Sequence, residues 1–239
     1  MKNIVNINSL FIFEFNFLQM KGFVIFLIII LSCYLLNAQS LYFELNGGWS
    51  GNLPSKLKIK QQGFSDINFI AHYDAEPFIS PVYWLWRFYY IPDSLNGWMF
   101  EAVHHKLYLK NTPPEIQYFG ISHGLNMLII NRIYYPHPQW HVNIGIGTVL
   151  AHPENKIRNY ALKGDGNGIW GMGYYLCGIS SNISTGIRFF KNKKFQINIE
   201  ARFNASYSIV PIVNGKAYVL NFSPQIIAGL GYRLWQKQK

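Results

Sequence analysis

The chain has 239 residues, of which half are apolar, 17% are aromatic and only 13% are charged. This is a poor composition for an ordinary water-exposed surface, so a typical soluble enzyme is disfavoured. The 21 Lys and Arg residues against 11 Asp and Glu leave a formal net charge of +10, which favours an anionic partner.

Residues 20–39 have the pattern of a secretory signal. Met20 is followed by Lys21, by an apolar core of roughly 14 residues and by a small-residue exit at Ala38. We therefore expect residues 1–39 to be an upstream extension plus signal peptide, with Met20 as the true start, and residues 40–239 to form one barrel domain. A retained transmembrane anchor and a lipoprotein at Cys33 are the alternatives. For an exported chain, lipopolysaccharide is the expected anionic partner, and nucleic acid is not expected.

Beyond the leader, the sequence alternates as β-strands do. From Phe195 to Tyr207 the odd positions are apolar or aromatic and the even positions are polar, without exception. Residues 140–150, 175–189 and 226–234 repeat this pattern. An apolar face opposite a polar face is typical of a transmembrane β-barrel with a polar lumen. A soluble lipocalin-like barrel, which has the opposite polarity, is the alternative.

The pattern predicts an all-β fold, an eight-stranded antiparallel up-and-down transmembrane β-barrel of the outer-membrane type. Short turns then fall at the periplasmic end, together with both termini, and long loops fall outside. Loop 50–76 has room for a hairpin, and the glycines of loop 153–172 are expected to serve turns. The predicted strands are 41–49, 77–91, 97–109, 116–135, 139–152, 173–190, 195–211 and 217–235.

Residues that can carry chemistry concentrate at the loop end of the hairpin formed by residues 97–135. They are His104, His105, Lys106, Glu115, Ser122 and His123. The topology also places His72 and His152 at the external end, and His137 and His141 at the periplasmic turn. Histidines at a barrel rim are often only interfacial polar residues, and this alternative stays open for each of them.

Cross-strand pairing predicts a metal site on His104 and His123. The two residues would be diagonal neighbours, about 7–8 Å apart, which two imidazoles or a bound metal could bridge. Alternation places both on the outward face, near the lipid headgroups. The residues expected to point into the lumen instead are Glu101, His105, Ser122 and Asn126.

A tight turn at residues 92–96 sets Arg87 almost opposite Glu101, which predicts a structural ion pair in the lumen. Other charged residues are expected in the same interior network: Arg132, Arg188, Glu200, Arg202 and Arg233. Ser122 and His123 are adjacent in the chain and would point to opposite faces of a strand. They should therefore not form the hydrogen-bonded pair that activates a serine nucleophile.

The segment from Ser80 to Arg132 is similar to the outer-membrane lipid A oxidase family. That family has a Pro-Tyr strand with a downstream Arg, then a His-x-Lys-x-Tyr strand and a Gly-Leu-Asn strand. The matching residues are Pro81, Tyr83, Arg87, His104, Lys106, Tyr108, Gly124, Leu125 and Asn126. Small outer-membrane lipid A deacylases have a His-x-Ser-Asn stretch instead, and this chain has Leu125 at the serine place.

The resemblance implies oxidation of the proximal glucosamine of lipid A at the extracellular rim, with O2 as co-substrate and a divalent metal as a helper. We predict a monomer with His104, His105, His123 and Asn126 as catalytic residues. The predicted substrate-binding residues are Lys106, Tyr108 and Tyr83. A non-catalytic structural barrel and a lipid A deacylase or acyltransferase are the alternatives.

Overall fold

A computed structural model describes residues 40–93, 95–162, 168–191 and 193–237. The predicted upstream extension and signal peptide lie outside the described residues. Within them, the strands are β1 (Ser40–Ser50), β2 (Ser55–Gln61), β3 (Ile67–Ala71), β4 (Tyr73–Asp74), β5 (Trp84–Ile91), β6 (Asn96–His104), β7 (Leu107–Leu109), β8 (Ile116–Ile121), β9 (Leu125–Tyr134), β10 (Trp140–Ala151), β11 (Glu154–Ile157), β12 (Tyr160–Leu162), β13 (Tyr175–Phe189), β14 (Phe195–Ile212) and β15 (Gly215–Gln236).

Eight of these strands close into an antiparallel barrel in chain order. The order is β1, β5, β6, β9, β10, β13, β14 and β15, and β15 pairs back with β1 along the whole of β1. Closure leaves no unpaired strand edge in the wall, as a membrane-spanning sheet requires. The predicted eight-stranded up-and-down barrel is confirmed.

Side-chain polarity is reversed relative to a soluble barrel. Along β14 the burial alternates, so that Ile199 is 50% exposed on the outside while Glu200 is 1% exposed on the inside. The outward positions of β10, β13 and β15 carry exposed isoleucine and leucine in the same way. This is the polarity of a transmembrane barrel and the opposite of a lipocalin.

The middle of the barrel interior is an ion-pair network centred on Arg87. Its guanidinium bonds to Glu44 at 2.9 Å, Glu101 at 3.0 Å and Glu200 at 2.6 Å, all fully buried. Arg202 also reaches Glu101, at 2.6 Å. The predicted lumen pair of Arg87 and Glu101 is confirmed, as part of a larger network.

Two expectations about charged residues are corrected. His141 does not lie at the periplasmic turn but inside the wall, where Nε2 is 3.0 Å from a Glu200 carboxylate oxygen. Arg132 lies outside the barrel, with its guanidinium 4.9 Å from the Trp98 ring, because the outward face of β9 includes position 132. Arg188 belongs to the interior network as expected, 3.3 Å from Glu44.

One end of the barrel carries a cap, which we define as strands β2, β3, β4, β7, β8, β11 and β12. Strands β2 and β3 extend the sheet beside β15, which confirms the expected hairpin in loop 50–76. The other five form a second antiparallel sheet in the order β12, β11, β8, β7, β4. Short connections from β5 to β6, from β9 to β10 and from β13 to β14 lie at the opposite end.

An apolar core fills the cap and continues into the barrel. Leu57 and Ile59 of β2 pack in one cluster with Phe119 of β8 and with the barrel residues Val103 and Met127. The lumen is therefore hydrophilic only in its middle, because the two cap sheets bury their apolar faces against each other and against the barrel mouth. In the part of the chain that the structure describes, no helix is long and apolar enough to cross a membrane.

The strand bounds differ from the prediction in the hairpin region. The strand predicted over 77–91 begins only at Trp84. The strands predicted over 97–109 and 116–135 are each interrupted, at residues 105–106 and 122–124. In loop 153–172 the glycines Gly168 and Gly171 adopt positive φ in a turn, as expected.

Candidate functional site

Three neighbouring strands leave the barrel wall and enter the second cap sheet at one level. The breaks lie between β6 and β7, between β8 and β9, and between β10 and β11. Backbone bonds link them, from the Leu125 amide to the His105 carbonyl at 2.7 Å and from the His152 amide to the Gly124 carbonyl at 3.1 Å. At these breaks the side chains no longer alternate between the two faces of a strand. Four histidines lie there, namely His104, His105, His123 and His152.

His123, His152 and Glu154 form a cluster whose candidate ligand atoms all lie within 4.8 Å of one another. We call it the His–Glu cluster. A Glu154 carboxylate oxygen is 3.2 Å from His123 Nδ1 and 3.8 Å from His152 Nδ1. The His123 side chain is 59% exposed, so the cluster opens to the outside.

The composition of the His–Glu cluster fits a divalent metal. Two imidazoles and one carboxylate are the donor set that non-haem iron sites use, with other coordination positions left open. Ligand atoms about 2.1 Å from one ion lie roughly 3–4 Å apart, close to the separations seen here. His152 Nδ1 is buried without a hydrogen-bond partner among the described residues, as a ligand atom would be before the ion binds.

The metal pair predicted on His104 and His123 stays a prediction, while the break at residues 122–124 turns His123 toward His152, with the two ring centres 4.8 Å apart. His104 does lie on the outward face of the wall as expected, but it is covered by Trp84, whose ring stacks on it at 5.2 Å. Its Nδ1 lies 2.9 Å from Asn126 Oδ1. Asn126 therefore faces outward beside His104, and its predicted lumen orientation is wrong.

Ser122 and His123 are also closer than expected. The Ser122 hydroxyl lies 3.2 Å from His123 Nδ1, within hydrogen-bonding distance, although adjacent residues in a strand would diverge. The backbone between β8 and β9 is not extended here, since Gly124 has φ of 122°. The prediction that the two side chains could not meet is therefore wrong.

His105 and Tyr83 lie in the interior. His105 Nε2 is 2.7 Å from Asn52 Oδ1, and burial lowers the pKa of His105 to about 3, so the ring is neutral at physiological pH. Tyr83 donates its hydroxyl to Gln225 Oε1 at 2.7 Å. Both side chains are buried, and the predicted substrate contact of Tyr83 stays a prediction.

Lys106 is buried, and its ammonium donates to the Ile79 carbonyl at 2.9 Å. Burial lowers the pKa of Lys106, while the Glu76 and Asp74 carboxylates act in the opposite direction. Its Nζ lies 5.6 Å from the centre of the Tyr108 ring. Lys106 therefore anchors the segment at residues 77–83, and its predicted phosphate contact stays a prediction.

Two tyrosines adjoin the His–Glu cluster. Burial raises the pKa of Tyr118 to about 12, and the nearby Glu154 carboxylate adds to the rise. Burial and the Glu76 and Glu154 carboxylates raise the pKa of Tyr108 as well. Both phenols therefore keep their protons at neutral pH and can act as hydrogen-bond donors beside the cluster.

Exposed apolar side chains stand on both sides of the site. On one side, Phe78 is 72% exposed in the segment that Lys106 anchors, and Ile79 and Val82 accompany it. On the other side, Trp170 is 84% exposed in a turn that Tyr174 holds by donating to the His123 carbonyl at 3.1 Å. Large apolar groups left in the open mark an interaction surface. We call these two segments the apolar lips.

Sequence reasoning placed His152 at the external end but assigned neither His152 nor Glu154 to a site. The available signal was their spacing, since His152 and Glu154 are two residues apart at the end of an alternating strand. Tyr118 and Tyr174 had no such signal, because their positions beside the cluster depend on the fold of the cap. Glu115, which the sequence placed among the residues that can carry chemistry, accepts a hydrogen bond at its backbone carbonyl from the Arg158 amide, at 2.7 Å.

Neither protein-family models nor curated protein sequences match this chain. Among solved structures it is similar to Ail of Yersinia pestis, with 10% identity, 82% of this chain and 99% of that chain covered, and a TM-score of 0.38. OprG of Pseudomonas aeruginosa gives 13% identity over 82% and 97% of the chains, with a TM-score of 0.43. The outer membrane protein AlkL gives 10% identity over 84% and 93%, with a TM-score of 0.45.

Proposed function

We propose that this protein is an outer-membrane enzyme that modifies lipid A at the extracellular rim, with both chain termini of the barrel in the periplasm. The apolar outer face and polar interior suit a bilayer, and eight-stranded barrels of this polarity are an outer-membrane architecture. Short turns at one end and a large cap at the other favour the cap as the external end. The His–Glu cluster then faces the leaflet that holds lipopolysaccharide.

The cluster of His123, His152 and Glu154 is the observation that carries this proposal. These three side chains would hold a divalent metal, which when bound supplies a site for O2 chemistry. The protonated Tyr118 phenol would donate a hydrogen bond to a sugar oxygen beside the cluster. The apolar lips around Phe78 and Trp170 would hold acyl chains on either side, so that the glucosamine headgroup reaches the cluster from the membrane.

The reaction that fits these groups is oxidation of the proximal glucosamine. At a free anomeric hydroxyl, the C–H and O–H bonds give up two electrons and two protons to O2, which becomes hydrogen peroxide, and water opens the resulting lactone to the acid. The net change in lipid A is a gain of one oxygen atom. The resemblance of residues 80–132 to the lipid A oxidases is independent support.

Hydrolysis or acyl transfer through Ser122 is less well supported. A serine nucleophile needs a histidine whose two ring nitrogens serve different partners, the hydroxyl and the orienting carboxylate. Here Ser122 Oγ and a Glu154 carboxylate oxygen both approach the same nitrogen, His123 Nδ1, each at 3.2 Å. This arrangement cannot relay a proton from serine toward the acid, so we rank the deacylase or acyltransferase second.

The test is the mass of lipid A from cells with and without the gene. We expect a gain of one oxygen atom that His152→Ala and Glu154→Gln each abolish, because either change removes a metal ligand. The matched control is His72→Ala, a cap histidine outside the cluster, and folding is checked by heat-modifiable migration on gels. Loss of an acyl chain would favour the hydrolase, and an unchanged mass would favour a non-catalytic barrel.

A further inference from the structure

The cap has a basic surface on the side of the barrel away from the His–Glu cluster. Lys56, Lys58 and Lys60 occupy alternate positions of β2 and project outward, because the intervening Leu57 and Ile59 are fully buried. The register with β15 sets Lys60 opposite Lys216 and Lys58 opposite Tyr218. A groove of about 370 Å³, which we call the basic groove, is lined by Lys56, Lys58, Lys60, Tyr207, Tyr218 and Leu220, and Lys216 adjoins it.

The basic groove lies directly beyond the apolar belt of the barrel. The outward positions of β15 run from Leu230 and Ile226 through Leu220 to Tyr218 and then Lys216, so apolar residues give way to an aromatic and a cation. Aromatic side chains of transmembrane barrels mark the membrane interface. The lysine amines are therefore at the height of lipid headgroups when the belt is in the bilayer.

The charges of the groove are largely uncompensated. Lys58 pairs with Asp66 at 3.0 Å. Among the described residues, no carboxylate lies within ion-pair distance of Lys56, Lys60 or Lys216. The unpaired Lys56 and Lys60 of the groove and the adjoining Lys216, beside the Tyr207 and Tyr218 side chains, suit an anion with several oxygens, such as a phosphate ester.

We propose that the basic groove binds the phosphate groups of lipid A in the outer leaflet. It is separate from the His–Glu cluster, since β15 and β9 are four strands apart in either direction around the barrel. The inference rests on the outer-membrane placement above and not on the catalytic role. A lipid held here is a neighbour of the barrel, bound on the wall opposite to the reacting one.

The experiment measures binding of bisphosphorylated lipid A to the full-length protein in zwitterionic detergent micelles. The variant is Lys56→Gln, Lys60→Gln and Lys216→Gln combined. Its control is Lys156→Gln, Lys193→Gln and Lys237→Gln combined, which removes the same charge from exposed lysines elsewhere. Since one lysine near an anionic surface contributes about fivefold in affinity, the groove variant should bind roughly a hundredfold more weakly and the control about as well as the native protein.

Phosphate-free lipid A is the second probe and should bind the native protein as weakly as bisphosphorylated lipid A binds the groove variant. Equal weakening of the two triple variants would overturn the proposal, since only net charge would then matter. The proposal would also fail if the native protein bound phosphate-free lipid A as tightly as bisphosphorylated lipid A, or if it bound a sulfated polysaccharide more tightly than lipid A. Lipid A oxidation by the groove variant is measured separately, so failure of this site and failure of the proposed reaction are distinguishable.

Discussion

Gly124 lies at the break that shapes the site, in a conformation that other residues rarely adopt. Its φ is 122°, and a Cβ atom at this position would be 2.4 Å from Asn126 Oδ1 and 2.7 Å from His104 Nδ1. Both backbone strain and side-chain contact therefore require glycine here. Glycine at this position leaves room for His104 and Asn126 to lie side by side on the outer face. Its positive φ also lets the backbone change direction directly after His123.

The first structural prediction concerns Gly124→Ala. Strain of this kind costs about 1–3 kcal/mol, and the clash with His104 and Asn126 adds to it. We expect the variant barrel to be clearly less stable, with the midpoint of unfolding at a lower denaturant concentration. Gly63→Ala is the control, because Gly63 has φ of 81° but nothing within 4 Å of its added Cβ. Equal losses for the two variants would contradict the steric part of the argument.

At the scale of the strands, the barrel is held from inside by balanced charge. The three arginines of the middle layer are matched by three glutamates from β1, β6 and β14, so each carboxylate is fully buried and paired. Removing one partner from such a network leaves an uncompensated buried charge, which is more costly than the pair is stabilising. Arg87 contacts all three glutamates, so it connects strands on several sides of the barrel.

We therefore predict that Arg87→Met destabilises the barrel by about 3–5 kcal/mol, measured by the urea midpoint of the heat-modifiable band. Adding Glu101→Gln should restore part of the loss, because one excess negative charge disappears. The matched control is Arg132→Met, which removes an arginine from the outer face and should cost no more than about 1 kcal/mol. If Arg132→Met is equally costly, the interior network is not what stabilises the barrel.

For the whole molecule, polarity changes along the barrel axis as well as across the wall. A ring of exposed aromatic residues marks the end with short turns, a charged layer fills the middle, and an apolar core closes the other end beneath the cap. The cap covers the barrel mouth and carries both the His–Glu cluster and the basic groove. The position of the cap relative to the membrane therefore determines which leaflet the His–Glu cluster and the basic groove can contact.

This orientation is testable with single cysteines in a Cys177→Ser background. We predict that Lys60→Cys, in the cap, reacts with a membrane-impermeant maleimide on intact cells, because the proposed orientation places the cap outside the cell. Asp93→Cys, in a short turn at the other end, should react only after the outer membrane is permeabilised. Labelling of Asp93→Cys on intact cells together with protection of Lys60→Cys would place the cap in the periplasm.

The sequence by itself determined the barrel. Alternation from Phe195 to Tyr207 and in the neighbouring segments defines which side chains face lipid, and strand number and short turns follow from the same two-residue period. The pairing of Arg87 with Glu101 was equally predictable, because a tight turn sets the register of the hairpin. These features depend on residues close in the chain.

Only the tertiary structure decided the site. The breaks at residues 105–106 and 122–124 occur where strands pass from one sheet to another, and alternation has no meaning across such a break. His123 therefore meets His152 and Glu154, and Asn126 turns outward beside His104. Contacts between segments distant in the chain depend on how the two cap sheets bury a shared apolar core, and no local pattern encodes that packing.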